Sequence, residues 1–381
     1  MTGTGDPLIT NTAHPVNAHV IQRIEIWPVD IPVTDPFVVA TGARVTAQNL
    51  FIRVTLRDGA QGLGESAPFP EVGGEDRATC LAAATALART MIGQSAADYE
   101  SLADRLKEQA LLQPAARCGL ETAVLDAYCR SQGIPLWRLW GEADIRTRKT
   151  DITIPICSLE KTVALSRAWH ERGFHLFKMK VGTDVEEDIR RLQAAHEALP
   201  GISFIGDGNQ GFSREDCLRF VGGVKQFGGQ LVLLEQPVVR DDLEGLQAIR
   251  HLTGIPVAAD ESVRSLDDAR RVAEMQAADY INIKIMKTGV IEARRIAAFT
   301  RSIGLRLMVG GMLETRIAMG CSFSLVLGMG GFDILDLDTP LLLSSDPVSG
   351  GYRYSGPRLQ PWREPGLAMQ VSSPEDTITI Q

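Results

Sequence analysis

Apolar positions first alternate and then recur every three or four residues along the first third of the chain. VIQRIEIWPVDIPV and NLFIRVTLRDG have the period of two that a strand requires, and Arg57-Asp58-Gly59 supplies a turn. AAATALARTMIG, ADYESLADRLKEQAL and CGLETAVLDAYCRSQG then show helical spacing, two of them ending at glycine. Between strands and helices lies GESAPFPEVGGED, whose Gly, Pro and acidic residues are loop composition. The pattern predicts an α+β unit over residues 20–145, preceded by a polar, disordered tail over 1–19.

After Lys149 the rhythm changes. Short apolar stretches alternate with polar-faced helices such as EEDIRRLQAAHEAL and LDDARRVAEMQA. The predicted strands are 152–157, 177–181, 203–209, 232–237, 256–261, 280–285, 306–311 and 332–338. Their starts are spaced by about 24 to 29 residues, a plausible βα-unit length. Eight such units over 146–344 predict a (β/α)8 barrel. A doubly wound sheet fits the alternation too, but no G-x-G-x-x-G follows the first strand, and eight regular units favour closure. The Gly- and Pro-rich segment 345–381 does not continue the barrel. It is expected to return and complete the N-terminal unit as a cap.

Composition narrows the function. The chain has 381 residues, is 44% hydrophobic and 23% charged, and carries a net charge of −8. It can build a large core, and its acidity argues against nucleic acid as a partner. No apolar run reaches the ~20 residues that span a bilayer, and the first residues lack the apolar centre of a signal peptide. Six scattered cysteines without a C-x-x-C pair predict free thiols and a cytoplasmic protein. The six histidines show no ligand spacing. Barrels of this kind often associate, and a homo-oligomer is expected.

In such barrels chemistry sits at the C-terminal ends of the strands. Strand two ends in FKMKVG, where alternation turns Lys178 and Lys180 to one face. Strands three, four and five bring Asp207 (with Asn209), Glu235, and Asp260 (with Glu261). Strand six brings Lys284, and strand eight Asp336 and Asp338. One such acid reads most simply as a helix cap or a lysine's partner. Asp207, Glu235 and Asp260, at matching positions of successive strands, would repel unless neutralised. A hard cation with oxygen ligands, Mg2+, does this. Strands two and six are diametrically opposed in an eight-stranded barrel, so Lys180 and Lys284 face each other. An ammonium beside a metal and another cation is pushed toward the neutral form and can act as a base. Two bases on opposite sides of one carbon can invert a stereocentre. Lys178 then adds positive charge beside its neighbour. Lys287 is expected in the next loop with no role.

These residues together give the chain a family likeness. The K-x-K of Lys178-Met179-Lys180, the series Asp207, Glu235 and Asp260, and Lys284 in NIKIMKTG resemble the enolase superfamily, in its muconate-cycloisomerase-like subgroup. The resemblance implies one Mg2+ per subunit, a carboxylate substrate bound to it, and an enolate intermediate. It also implies that the cap closes over the substrate through loops 35–45 and 68–76.

Fold and metal leave the reaction open. The acids of Asp336-Leu337-Asp338 share a face and suit a substrate ammonium group. Dipeptide epimerases of this subgroup look similar, with this pair holding the α-ammonium of the first residue and the α-carbon of the second lying between the lysines. Thr153 is the candidate contact to the substrate carboxylate. Members acting on Ala-Glu place an arginine in the first cap loop. Here that position is Gly42, with Arg44 nearby as the candidate side-chain contact. Glu71, Glu75 and Asp76 either attract a cationic side chain or solvate a loop, and Glu314 is a candidate to orient Lys284. The expected function is Mg2+-dependent epimerisation of dipeptides. The alternatives are N-acylamino acid racemase, o-succinylbenzoate synthase or muconate cycloisomerase chemistry, and, from another class, a non-catalytic barrel. The acid pair argues against reactions whose substrate has no ammonium group.

Overall fold

The computed structural model describes residues 18–372, 374 and 377–381. Of the predicted disordered tail, residues 1–17 lie outside the described residues. Ala18 and His19 are packed: the Ala96 N–H donates to His19 O, and Ala18 is buried.

Eight parallel strands form the barrel sheet in sequential order: Ile152–Ile154, Leu176–Lys180, Ser203–Asp207, Gln230–Glu235, Val257–Ala259, Tyr280–Ile283, Arg306–Val309 and Phe332–Leu335. The first strand stops earlier than its apolar run because Pro155 has no N–H to donate. First and last strands meet at a seam. There the Asp151 N–H donates to Leu335 O at 3.0 Å and the Thr153 N–H to Asp338 Oδ2 at 2.6 Å. Ile205, Leu233, Ala258, Tyr280 and Met308 fill the interior below the mouth. The chemistry above therefore has an apolar floor.

The cap is a four-stranded antiparallel sheet ordered Ile378–Ile380, Ile21–Val39, Gly42–Leu56, Gln61–Ser66, with helices Arg77–Met91 and Pro114–Ser131 packed on it and helix Tyr99–Gln109 packed on those helices. The last strand pairs Ile380 with Ile24, so the C-terminal segment completes the cap. The third strand lies against the last helix at a distance only glycine permits: a Cβ on Gly64 would stand 1.9 Å from Gly119 O.

The segment 35–45 is not a free loop, as the sequence reading had it. It is the end of a long hairpin, paired Phe37 to Arg44 and Val39 to Gly42, and Phe37 and Val39 are buried. The hairpin reaches the barrel, where the Ile156 N–H donates to Val38 O and the Thr34 N–H to Leu342 O. Segment 68–76 contains a one-turn helix, Pro70–Gly73.

Two buried cap carboxylates lock the cap onto barrel helices. Glu65 accepts from the Thr315 N–H at 2.8 Å, the Thr315 hydroxyl at 2.7 Å, the Ala318 N–H at 3.1 Å and Asn49 Nδ2 at 2.7 Å. Glu121 accepts from the N–H groups of Val290 and Ile291 at 2.6 and 3.0 Å. Each satisfies donors at a helix start that would otherwise be buried and unpaired. Glu65→Ala should therefore lower unfolding free energy by roughly 2–4 kcal/mol, and Glu65→Gln, which keeps one acceptor, by less. Denaturant unfolding checks this, and an Ala variant as stable as the parent would contradict it.

Candidate active site

Register builds the site. Parallel pairing sets Lys180 beside Asp207, and Asp207 beside Glu235, in one row, with Thr153 beside Lys178 a layer lower. Asp260 follows the fifth strand directly and Lys284 the sixth. All of these side chains are buried.

The lysines interleave with the acids. Lys178 Nζ lies 3.0 Å from Asp207, 2.9 Å from Glu235 and 2.7 Å from Asp336. Lys180 Nζ donates to Asp207 Oδ2 at 2.6 Å and to Asn209 Oδ1 at 3.1 Å. Lys284 Nζ lies 2.6 Å from Asp260 and 3.7 Å from Glu235. Gly310, directly after strand seven, leaves room, since a Cβ there would fall 2.8 Å from Asp336 Oδ2 and 3.1 Å from Lys284 Cε.

Burial and charge divide the acids into two groups. Burial works against ionisation of Asp207, but Lys178, Lys180 and Lys284 outweigh it and hold the group at about 2. Asp260 is likewise held well down, by Lys284 and Lys287 against burial. Glu235 is pushed up to about 8 by burial and then by Asp207, and Glu261 to about 7 by burial and Asp260. Carboxyl groups outnumber ammonium groups here, and those left over resist ionising. The sequence reading had a base lysine pushed toward neutrality. In this arrangement burial does pull Lys284 down, but Asp260 outweighs it and the ammonium form is held above its usual range.

Asp207, Glu235 and Asp260 fit a hard cation. They offer oxygen donors, and Glu235 Oε2 and Asp260 Oδ2 make no aligned hydrogen bond although lysines stand near. Their carboxylates are not, however, the most tightly gathered. Oxygens of Asp151, Asp336 and Asp338 lie within 4.8 Å of one another at the seam.

Other predicted residues take different places. Thr153 gives its backbone N–H to Asp338, which positions that acid. Arg44 donates to Glu71 Oε2 at 2.9 and 3.0 Å, so its charge is neutralised inside the cap. Glu75 accepts from the N–H groups of Ala115 and Ala116, and Asp76 caps the helix Arg77–Met91 in a reciprocal pair with Thr79. Both are structural. Glu314 accepts from the Met312 N–H, while Lys284 takes its ion pairs from Asp260 and Glu235.

The sequence reading missed three participants. Lys287 is buried on a one-turn helix and donates to Asp260 Oδ1 at 2.6 Å and to Asn282 O at 3.1 Å. Asn282 holds Glu235 Oε1 at 2.9 Å, and its place two residues before Lys284 on an alternating strand was a usable signal. Asp151 is the third. Beside this seam, Phe37, Thr153, Leu165, Trp169, Leu341 and Leu342 line a mostly apolar cavity of about 250 Å3, to which Asp35 and Arg172 also contribute. Phe37 also stands 5.6 Å from Lys180 Nζ, so the hairpin touches both cavity and site.

Residues 22–141 match the N-terminal domain of mandelate racemase / muconate lactonizing enzyme, and residues 161–376 match the enolase C-terminal domain-like family. The chain belongs to the mandelate racemase/muconate lactonizing enzyme family. An aromatic dipeptide epimerase of Herpetosiphon aurantiacus is 40% identical over 341 residues, 89% of this chain and 96% of its own length. An L-Ala-D/L-amino acid epimerase of Populus trichocarpa is 40% identical over 88% of this chain and 81% of its own length. The structure of a dipeptide epimerase from Cytophaga hutchinsonii, complexed with Mg and D-Ala-L-Val, superposes with a TM-score of 0.91 at 27% identity, covering 95% of this chain and all of that one. Among the described residues, no helix is long and apolar enough to cross a membrane.

Lys287→Met should leave Asp260 with one cation instead of two and destabilise the fold by roughly 2–4 kcal/mol. Chemical denaturation measures this. An unchanged midpoint would mean that Lys287 is not a structural counter-ion.

Proposed function

We propose that the chain is a Mg2+-dependent dipeptide epimerase that inverts the α-carbon of the C-terminal residue. The observation that carries this reading is the placement of Lys180 and Lys284 on opposed strands, with a row of buried carboxylates between them and a second acid group at the seam. Asp207, Glu235 and Asp260 would hold one Mg2+. When bound, the ion takes over neutralisation of these acids and stabilises charge developing on the substrate's carboxylate oxygens.

In this reading the chain's own residues do the rest. Lys180 removes or returns the α-proton on one face of the carbon, and Lys284 does so on the other. Lys178 adds positive charge beside the developing anion. Asp336 and Asp338 receive the substrate's α-ammonium, and Thr153 holds Asp338 in place. The hairpin with Phe37 closes over Lys180 and excludes water. The cavity next to Thr153 takes the first residue's side chain. It is mostly apolar and, at about 250 Å3, exceeds the roughly 150 Å3 that holds a benzene ring. A preference for aromatic or large aliphatic first residues follows. Cytoplasmic placement belongs to this reading and is supported by six free cysteines.

Lys180→Ala and Lys284→Ala should each lower epimerisation by roughly 10³-fold. Each variant should still exchange the α-proton of the one stereoisomer that presents it to the remaining lysine. Proton NMR in D2O with the separate diastereomers reads both. Loss of exchange for both isomers in only one variant would mean a single base and would overturn the two-base assignment. Acetylating the substrate amine should abolish turnover. Preference for the acetylated form would instead favour an N-acylamino acid racemase.

A further inference from the structure

The acid cluster at the seam contains one group that the proposed reaction leaves without a role. Asp151 precedes the first barrel strand, and its side chain is buried beside Asp336 and Asp338. Neither of its carboxylate oxygens has a hydrogen-bond partner, and Asp338 Oδ1 has none either. Asp336 is already paired with Lys178, at 2.7 Å. Asp151 has no cation of its own within ion-pair distance among the described residues. Burial pushes its carboxyl well above the usual range, and repulsion from Asp336 and then Asp338 adds to this. An acid buried at such cost, with both oxygens unsatisfied, calls for a cationic occupant.

Three oxygens within 4.8 Å of one another are close enough for one small cation to meet all three. An ammonium already stands at one of them, Lys178 Nζ at 2.7 Å from Asp336 Oδ2, the length of a charge-assisted N–H···O bond. A primary ammonium has three N–H donors, one for each acid. We propose that Asp151 is the third carboxylate of the ammonium clamp, so that the substrate's amine is held by Asp151, Asp336 and Asp338 together and a free, unblocked amine becomes the main requirement for binding. This rests on the dipeptide-epimerase reading. It adds a specificity residue on the opposite side of the seam from the Asp336-Leu337-Asp338 pair.

The test compares a free dipeptide with its des-amino analogue, in which the first residue's amine is replaced by hydrogen. The dipeptide is whichever the wild-type enzyme turns over fastest in the presence of Mg2+. If no dipeptide is turned over, the underlying reading fails, and this inference with it. If one is, Asp151→Asn decides the inference alone. The expected result is a 10- to 100-fold rise in KM for the free dipeptide, with the change carried mainly in KM rather than kcat. The inhibition constant of the des-amino analogue should move less than threefold. Asp151→Ser should repeat the pattern, and the unmoved analogue constant shows that the site is still folded. Equal changes for dipeptide and analogue would reveal a merely structural acid and overturn the proposal. So would no change in either, the result expected if Asp151 only shares a proton with Asp338. Equilibrium dialysis showing a second Mg2+ in the substrate-free wild type, absent from Asp151→Asn, would overturn it in favour of a metal site.

Discussion

The structure depends on burying more carboxyl groups than ammonium groups at one end of a barrel. Lys178, Lys180, Lys284 and Lys287 neutralise Asp207, Asp260 and Asp336 and hold them ionised. Glu235, Glu261, Asp151 and Asp338 are left over, and burial raises each of them. Such carboxyls stay protonated or meet a cation, because an uncompensated buried charge is costly. Electrostatics thus points toward a divalent ion at the centre and a substrate ammonium at the seam. In the proposed reading the lysines stand in as counter-ions until their acids are taken over, and one imbalance would account for metal, base and clamp.

Holding those charges requires rigid surroundings. The floor of Ile205, Leu233, Ala258, Tyr280 and Met308 keeps water from below. Glu65 and Glu121 join the cap to the starts of two barrel helices, and the hairpin ending at Val39 and Gly42 lies across the first strands. The cap is therefore fastened at its base, while its reach toward the substrate comes from one hairpin and a one-turn helix. Phe37 links that hairpin to Lys180 and to the apolar cavity, so in the proposed reading closure and side-chain choice share one element.

Much of this was legible in the sequence because strands impose a period of two. Alternation alone turned Lys178 and Lys180 to one face, and the spacing of eight apolar runs gave the barrel and the opposition of strands two and six. The failures have equally local causes. The loop expected at 35–45 comes from the family likeness and not from periodicity, and the register shift between Pro32 and Phe37, around Pro36, breaks the alternation that would mark the hairpin's end. Lys287 escapes the pattern because a short helix after the strand turns its side chain back onto Asp260, which no periodicity records. Asp151 precedes its strand, where strand-end logic does not look. It becomes visible only when the first and last strands meet. Glu75 and Asp76 had the composition of a binding loop, and only packing shows them to be helix caps.

The most direct measurement is deuterium incorporation from D2O into a pool of L,L-dipeptides spanning apolar, aromatic, acidic and basic pairs, followed by mass spectrometry, with Mg2+ and with a chelator. The account predicts gain of one deuterium at the C-terminal residue's α-carbon, dependent on the metal and fastest for dipeptides with a large apolar first residue. Folded, Mg2+-loaded protein that labels no dipeptide in the pool would contradict it.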